Sequence, residues 1–161
     1  IAVPIAHLFS SISEEENHTS QTAVSYAKII EGHACHDKRQ VLMILPLPII
    51  ADRWWVTTQY SNPSLRKASN HTVAELAWKE VHAPMLNAKD IEKISGKVQI
   101  PFTQGSWFLM ALDTEHTLAE YHSWVDPGGN IPAGPASQLS RSKSWKAPLT
   151  RLTRGCGLAW E

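Results

Sequence analysis

The sequence predicts an α+β fold, in which a curved antiparallel sheet of about seven strands wraps round a long C-terminal helix. Seven segments between residues 23 and 125 are rich in β-branched and aromatic residues and are bounded by turn residues. After them, apolar residues recur at steps of three and four. A sheet of this size must bury one face, and the last helix is the only sizeable element available to cover it.

A short amphipathic helix is predicted over residues 4–16, before the first strand. Pro4 is compatible with the first turn of a helix. The apolar residues at helical spacing are Ile5, Leu8, Phe9 and Ile12. The polar residues 17–22 are predicted to form a loop.

The predicted strands follow one another as an antiparallel meander. Their connections are short and show no helical period, which argues against βαβ units. The strands are predicted over residues 23–33, 40–48, 53–60, 71–82, 96–102, 105–113 and 116–125.

The C-terminal helix is predicted over about residues 133–154. Pro148 lies inside it, removes one backbone donor and is expected to kink it. Leu139, Ser142, Trp145, Leu149 and Leu152 recur at helical steps, and the apolar stripe that they outline must be buried. A sheet wrapped round a single helix leaves space between the two, which is a route to an internal pocket.

Composition bounds the class of protein. The 161 residues fit one domain, and 43% apolar with 19% charged residues is ordinary globular composition. The formal net charge is +0, which argues against a nucleic-acid partner. No apolar stretch approaches the roughly 20 residues of a membrane helix, so the chain is expected to be soluble; its compartment is not predicted.

Cysteine and histidine give little support for a metal site. Cys35 and Cys156 are predicted to be unpaired thiols, because two cysteines do not make a disulfide framework. The segment His33–His36 places three metal-capable side chains within four residues, but no second cluster of matching spacing accompanies it. We expect a hairpin tip with exposed imidazoles, no metal and no cofactor.

Three stretches resemble a known family. The run "LPLPIIADRWWV", followed by "TQGSWFLMAL" and by "AEYHSWVDPGGNIP" before a terminal helix, is similar to START domains, the StAR-related lipid-transfer domains of the helix-grip superfamily. The resemblance covers about residues 24–155. Its most specific parts are Pro46–Trp55, which includes Asp52 and Arg53, and Asp126–Pro132.

The resemblance implies a hydrophobic tunnel whose mouth lies where the last strand ends. The turn formed by Asp126, Pro127, Gly128 and Gly129 would be the hinge of the helix that closes the tunnel. Proline fixes φ there and the paired glycines permit positive φ. Residues 1–161 are thus predicted to be one START-like domain that lacks the family's N-terminal strand and part of its first helix.

The predicted ligand site follows from strand faces. Trp55, Thr57 and Gln59 share one face of their strand, and Tyr121 and Ser123 share one face of the last strand. The resemblance points both faces inward, where polar groups would orient a ligand; equally, neighbours or buried water would satisfy them. The remaining predicted wall residues are Met43, Leu45, Trp78, Phe108, Met110, Leu139, Trp145 and Leu149. For Trp78, Phe108 and Met110, ordinary core packing is the favoured alternative.

Two charged features have alternative interpretations. Arg53 is expected to serve a structural strand corner rather than a ligand. Sterol-binding members of the family carry an acid–base pair inside the tunnel; the matching strand here offers Gln59, and no acid partner is identified from the sequence.

The favoured function is non-enzymatic binding of a sterol, fatty acid, phospholipid or other lipid for transfer or sensing. The alternative is an enzyme of the aromatase/cyclase or hydrolase type that uses the same pocket. Against it, the sequence has no nucleophile elbow, metalloprotease motif or glycine-rich phosphate loop. A third interpretation is a filled core without a ligand. Transient membrane contact through the C-terminal helix would use Arg141, Lys143, Lys146, Arg151 and Arg154, although a solvated face is the favoured interpretation.

Overall fold

Seven strands form one sheet in the computed structural model, which describes residues 1–13, 24–33 and 36–129. The strands are β1 (Tyr26–Glu31), β2 (Lys38–Leu45), β3 (Arg53–Ser61), β4 (Val73–Glu80), β5 (Val98–Gln99), β6 (Phe102–Ala111) and β7 (Thr117–Asp126). The helices in these ranges are α1 (Ile5–Ser13), α2 (Pro63–Ala68) and α3 (Ala88–Ile94). The predicted helix over 133–154 lies outside the described residues.

The order of strands in the sheet is β1-β2-β3-β4-β6-β7, and every neighbouring pair along this path is antiparallel. The predicted curved antiparallel sheet is therefore confirmed. One predicted strand differs from the meander, because β5 has two residues and pairs with Arg53 and Trp54 of β3 in parallel. The chain leaves β4, passes through α3 and returns beside the start of β3 before it enters β6.

The helices α2 and α3 were not predicted from the sequence. They have 6 and 7 residues, which is too short for an apolar stripe to repeat. Their starts carry a local signal instead, since the side chains of Asn62 and Asn87 each accept a hydrogen bond from the backbone of the residue three positions on. Helix α3 is held to β1 by an ion pair 2.8 Å long between Lys28 and the buried Asp90. The hydrogen bond to Asp90 raises the pKa of Lys28 above its ordinary value.

The predicted N-terminal helix is confirmed over Ile5–Ser13 and packs on one face of the sheet, which we call the inner face. Its apolar side is buried against residues of β4 and β6. The core contacts are Leu8, Phe9 and Ile12 with Ala74, Leu76 and Leu109. The opposite face, which carries Lys28 and α3, is the outer face.

Helix α1 covers only one end of the inner face. Its N-terminal side is fixed at β7, where the amino group of Ile1 donates to the carbonyl of Thr117 at 3.0 Å. Its C-terminal side is fixed at β2, where Nη2 of Arg39 donates to the carbonyl of Ser13 at 2.6 Å. The other end of the inner face, which leads to the Asp126–Gly129 turn, is not covered by α1. No helix in the described ranges is long and apolar enough to cross a membrane.

Candidate ligand site

The part of the inner face that α1 leaves uncovered is the candidate site. Strand register defines it, because residues paired directly across an antiparallel ladder point to the same face. The rows that cross it are Arg39–Gln59–Trp78–Gly105–Ser123, Val41–Thr57–Glu80 and Met43–Trp55. Trp107 and Tyr121 form the neighbouring row on the side of α1, where Trp107 also packs against the α1 core. Six predicted wall residues on β2, β3 and β4 thus share one face: Met43, Leu45, Trp55, Thr57, Gln59 and Trp78.

Three side-chain oxygens in this site are buried and make no hydrogen bond within the described ranges. Thr57 is 1% exposed and Gln59 is 5% exposed. The side chain of Glu80, directly opposite Thr57 on β4, is 7% exposed. The atoms concerned are Oγ1 of Thr57, Oε1 of Gln59 and Oε2 of Glu80. Each unsatisfied buried polar atom costs about 1–3 kcal/mol, so three of them in two adjacent rows single out this part of the inner face as the candidate site.

Sequence reasoning missed both charged residues of the site. Arg39 is 3% exposed and lies directly opposite Gln59 on β2, while Glu80 ends β4 on the same face. The alternation of β4 was the signal available, since Trp78 and Glu80 are two residues apart and must share a face. An acid and a base therefore do lie on the inner face, in neighbouring rows and on different strands.

An aromatic wall adjoins these polar groups. The rings of Trp78 and Tyr121 are stacked with centroids 5.5 Å apart, and the centroids of Trp107 and Tyr121 are 4.7 Å apart. Trp78 reaches Tyr121 across β6 because the strand between them has no side chain at Gly105. A Cβ at Gly105 would overlap the ring of Trp78 and the carbonyl oxygen of His122.

The predicted wall residues Phe108 and Met110 lie on the outer face, opposite Glu75 and Val73 of β4. They are therefore removed from the site, and Trp107 takes the place predicted for Phe108. The prediction assigned the side chains of β6 to the wrong faces of the sheet by one residue. It arose because β6 has apolar residues on both faces around positions 107–110, so alternation alone could not assign the inward set.

The other predicted residues have mixed exposure. Met43 is 7% exposed, and Leu45 and Trp55 are partly buried. Tyr121 shares the inner face but is 48% exposed, and Ser123 is also exposed. Leu139, Trp145 and Leu149 lie outside the described residues.

The Asp126–Gly129 turn is anchored by Arg53. The guanidinium is 4% exposed and donates from Nε to the carbonyl of Pro127 at 2.8 Å and from Nη2 to that of Gly128 at 3.2 Å. It also donates to the carbonyl of Ala51. Gly128 and Gly129 have φ of 64° and 68°, as their permissive backbone predicted. Arg53 thus forms a hydrogen-bonded corner, while Asp52 pairs separately with Lys97 at 3.3 Å.

Two further features lie away from this site. A surface groove of about 410 Å³ lies at the start of β4 and the end of β6, away from the candidate site. It is lined by Pro4, Ile5, Thr72 and Ala111–Thr114. The rings of His33 and His36 meet edge to face with centroids 5.0 Å apart, and Cys35 is outside the described residues. The described ranges contain no group of three side chains suited to hold a metal ion.

The architecture is a START-like helix-grip fold. Comparison with solved structures supports this assignment over most of the chain. A STAR-related lipid transfer protein fragment from Xanthomonas axonopodis superposes with a TM-score of 0.72 at 17% identity, covering 96% of this chain and 82% of that one.

Two other solved structures also superpose on this chain. Human STARD10 superposes with a TM-score of 0.70 at 16% identity over 92% of this chain, which spans 59% of STARD10. The Zhui aromatase/cyclase from a Streptomyces species superposes with a TM-score of 0.60 at 13% identity, covering 92% of this chain and 84% of that one. No family model and no curated protein sequence matches the chain.

Proposed function

We propose that this chain binds one lipid or similarly apolar small molecule on the inner face of its sheet, for transfer or sensing. The observation that carries the proposal is the set of buried, unpartnered oxygens on Thr57, Gln59 and Glu80 in two adjacent rows beside the aromatic wall. The same fold occurs in proteins named as lipid-transfer proteins, which supports the choice of ligand class.

Burial of the ligand would supply most of the affinity. About 300 Å² of apolar ligand surface removed from water contributes roughly 7 kcal/mol before the costs of association. The three oxygens would then orient the ligand, because leaving them unpartnered costs free energy that a correctly placed polar end recovers. Trp78, Trp107 and Tyr121 offer the flat apolar contacts that sterol rings or acyl chains require.

A paired substitution tests the site. Trp78→Ala removes part of the inner wall, whereas Trp124→Ala makes the same change on the outer face, where Trp124 is 57% exposed. We expect an apolar ligand to be found by native mass spectrometry and lipid extraction of the purified protein. Its affinity should fall about tenfold or more in Trp78→Ala and stay unchanged in Trp124→Ala. Equal affinities in the two variants would place the ligand elsewhere, and a protein that binds no apolar ligand would refute the function.

Release of the ligand would use the Asp126–Gly129 turn as a hinge. The part that moves would be the segment after the turn, which the sequence predicts to be a helix. The glycines tolerate large changes of φ and ψ. The contacts of Arg53 with the carbonyls of Pro127 and Gly128 would have to break or shift as the hinge opens. This part of the chain would also contact anionic membranes through the basic residues between 141 and 154.

Lipid transfer between vesicles tests the hinge and the membrane contact together. Gly129→Ala is the sharper hinge variant, because its Cβ would meet nothing closer than Nη2 of Arg53 at 3.4 Å, so the change acts through the backbone, where a φ of 68° is strained for alanine. We expect slower transfer in Gly129→Ala, and weaker dependence on anionic lipid when Lys143 and Lys146 are replaced by Glu. An unchanged rate in a folded Gly129→Ala protein excludes the hinge, and an unchanged lipid dependence excludes the membrane contact.

An enzymatic function is the second candidate. It is favoured by the fold shared with the Zhui aromatase/cyclase and by Glu80, a buried carboxylate on the inner face that has the chemistry of a general base. A carrier releases its ligand chemically unchanged, whereas an enzyme would release a product of different mass. Mass spectrometry of the extracted ligand before and after incubation separates these two functions.

A further inference from the structure

We propose that Glu80 and His82 form a proton-transfer pair linked to solvent, through which the site isomerises apolar ketones by moving a hydrogen from one carbon to another. This inference rests on the proposed function for the binding of the ligand and adds an activity to it. The juxtaposition that carries it is a buried carboxylate on the inner face of the sheet, one oxygen of which meets an exposed imidazole.

Glu80 lies between the candidate site and solvent. Its side chain is 7% exposed, and Oε1 lies 3.4 Å from Nε2 of His82, a residue whose side chain is 74% exposed. The other carboxylate oxygen, Oε2, is buried and makes no hydrogen bond among the described residues. Because an imidazole exchanges protons readily with both a carboxyl group and water, a proton taken up by Glu80 can leave the protein through His82.

A second pair of the same kind shows what burial adds. Oε2 of Glu120 lies 3.4 Å from Nε2 of His122, again two residues further along the chain, but both of these side chains are 52% exposed and lie on the outer face. Water there competes with any ligand for the carboxylate. Glu80 instead shares its face with Trp78, two residues before it, and therefore adjoins the aromatic wall that keeps water away.

The reaction that fits this arrangement is removal of a proton from a carbon next to a carbonyl group. In a β,γ-unsaturated ketone, Oε2 of Glu80 takes a proton from the carbon between the carbonyl and the double bond; the C–H bond breaks and its electron pair forms a dienolate. The carboxyl group then returns a proton to the γ carbon, where a new C–H bond forms and the double bond moves into conjugation. The carboxylate is regenerated, and no oxidant, reductant or second substrate is consumed.

Groups that stabilise the negative charge of the dienolate lie beside the base. Thr57 is directly opposite Glu80 on β3, and its buried hydroxyl can donate a hydrogen bond to the carbonyl oxygen of the ligand. Arg39 adds a buried positive charge in the neighbouring row of the same face. In a site that excludes water, such groups stabilise the charge that develops during the reaction more than they stabilise the neutral ketone.

Conversion of one steroid probe tests this activity. The probe is the β,γ-unsaturated isomer of androstenedione, and quenching of tryptophan fluorescence measures its binding. Isomers have equal mass, so ultraviolet absorbance of the conjugated ketone measures the conversion. We expect conversion faster than in buffer, and a rate about a hundredfold or more lower in Glu80→Gln with binding retained, because the amide cannot accept the proton.

Deuterium incorporation in heavy water tests the role of His82. The unmodified protein should place deuterium on the γ carbon of the product, because Glu80 exchanges its proton with solvent through the imidazole. In His82→Asn the proton taken from the probe stays on Glu80 until it is returned, so the deuterium content should fall further than the rate of conversion does. A merely structural role of His82 would lower the rate and leave the deuterium content unchanged, which would overturn the relay.

Control variants keep the outcome unambiguous. Glu120→Gln and His122→Asn make the same two changes in the outer pair and should alter neither conversion nor deuterium content. If Glu80→Gln does not fold, Thr57→Val gives the second measurement and should lower conversion about tenfold or more, because it removes a donor to the dienolate oxygen. A probe that binds without being converted, or conversion that persists in the Glu80→Gln or Thr57→Val protein, would overturn the activity and leave the proposed function intact. Binding of the neutral dye Nile red without the probe would do the same, whereas a protein that binds neither would overturn the proposed function as well.

Discussion

Arg53→Met is expected to lower the free energy of unfolding by about 4 kcal/mol. The guanidinium is 4% exposed and donates to three backbone carbonyls, those of Ala51, Pro127 and Gly128. Hydrogen bonds from a charged donor are stronger than neutral ones, and Met fills a similar volume without replacing any of them. Urea denaturation followed by circular dichroism measures the change.

Two further variants separate the hydrogen bonds from the charge. Arg53→Lys keeps the charge but cannot span carbonyls on both sides of the corner, so we expect a loss of about 2 kcal/mol. Lys38→Met removes a positive charge from an exposed position on β2 and should change stability little. A loss below 1 kcal/mol in Arg53→Met would show that the Asp126–Gly129 turn holds its position without the arginine.

Gly105→Ala is expected to cost about 3 kcal/mol, which is a large effect for one methyl group. The added Cβ would overlap the indole of Trp78 and the carbonyl oxygen of His122 on the paired strand. The indole can move, but the carbonyl belongs to the β6–β7 ladder and cannot yield without disturbing it. Denaturation would show the loss of stability, and near-ultraviolet circular dichroism would show the displaced tryptophan.

A double-mutant cycle divides this cost between its two causes. In a Trp78→Ala background the ring is absent, so Gly105→Ala should cost about 1 kcal/mol less than in the unmodified protein. The cost of Gly105→Ala that remains in the Trp78→Ala background measures the overlap with the backbone of β7. Equal costs in both backgrounds would mean that Trp78 does not lie across Gly105, and the aromatic wall would have to be redrawn.

Local patterns in the sequence determined the strand-rich architecture of this protein. Alternation and turn residues fixed five long strands, β2, β3, β4, β6 and β7, because side chains point to opposite faces with a period of two wherever a strand is half buried. Helical spacing fixed α1, and paired glycines fixed a turn with positive φ at the end of β7. The resemblance carried by Pro46–Trp55 and Asp126–Pro132 led to the START-like fold. The two stretches are in contact in the structure, because Arg53 of the first donates hydrogen bonds to the carbonyls of Pro127 and Gly128 in the second.

Only the tertiary structure decided how the strands combine into a site. The pairing of β6 with β4 decided which of its side chains face inward, and Trp107 rather than Phe108 does so. The pairing of β5 with β3 is parallel because the chain crosses over through α3, a helix too short to show a period. Arg39, Thr57, Gln59 and Glu80 are spread over 42 positions of the sequence, and the register of three strands brings them into adjacent rows. Register is a long-range property, set by the burial of one whole face of the sheet, and no single segment contains it.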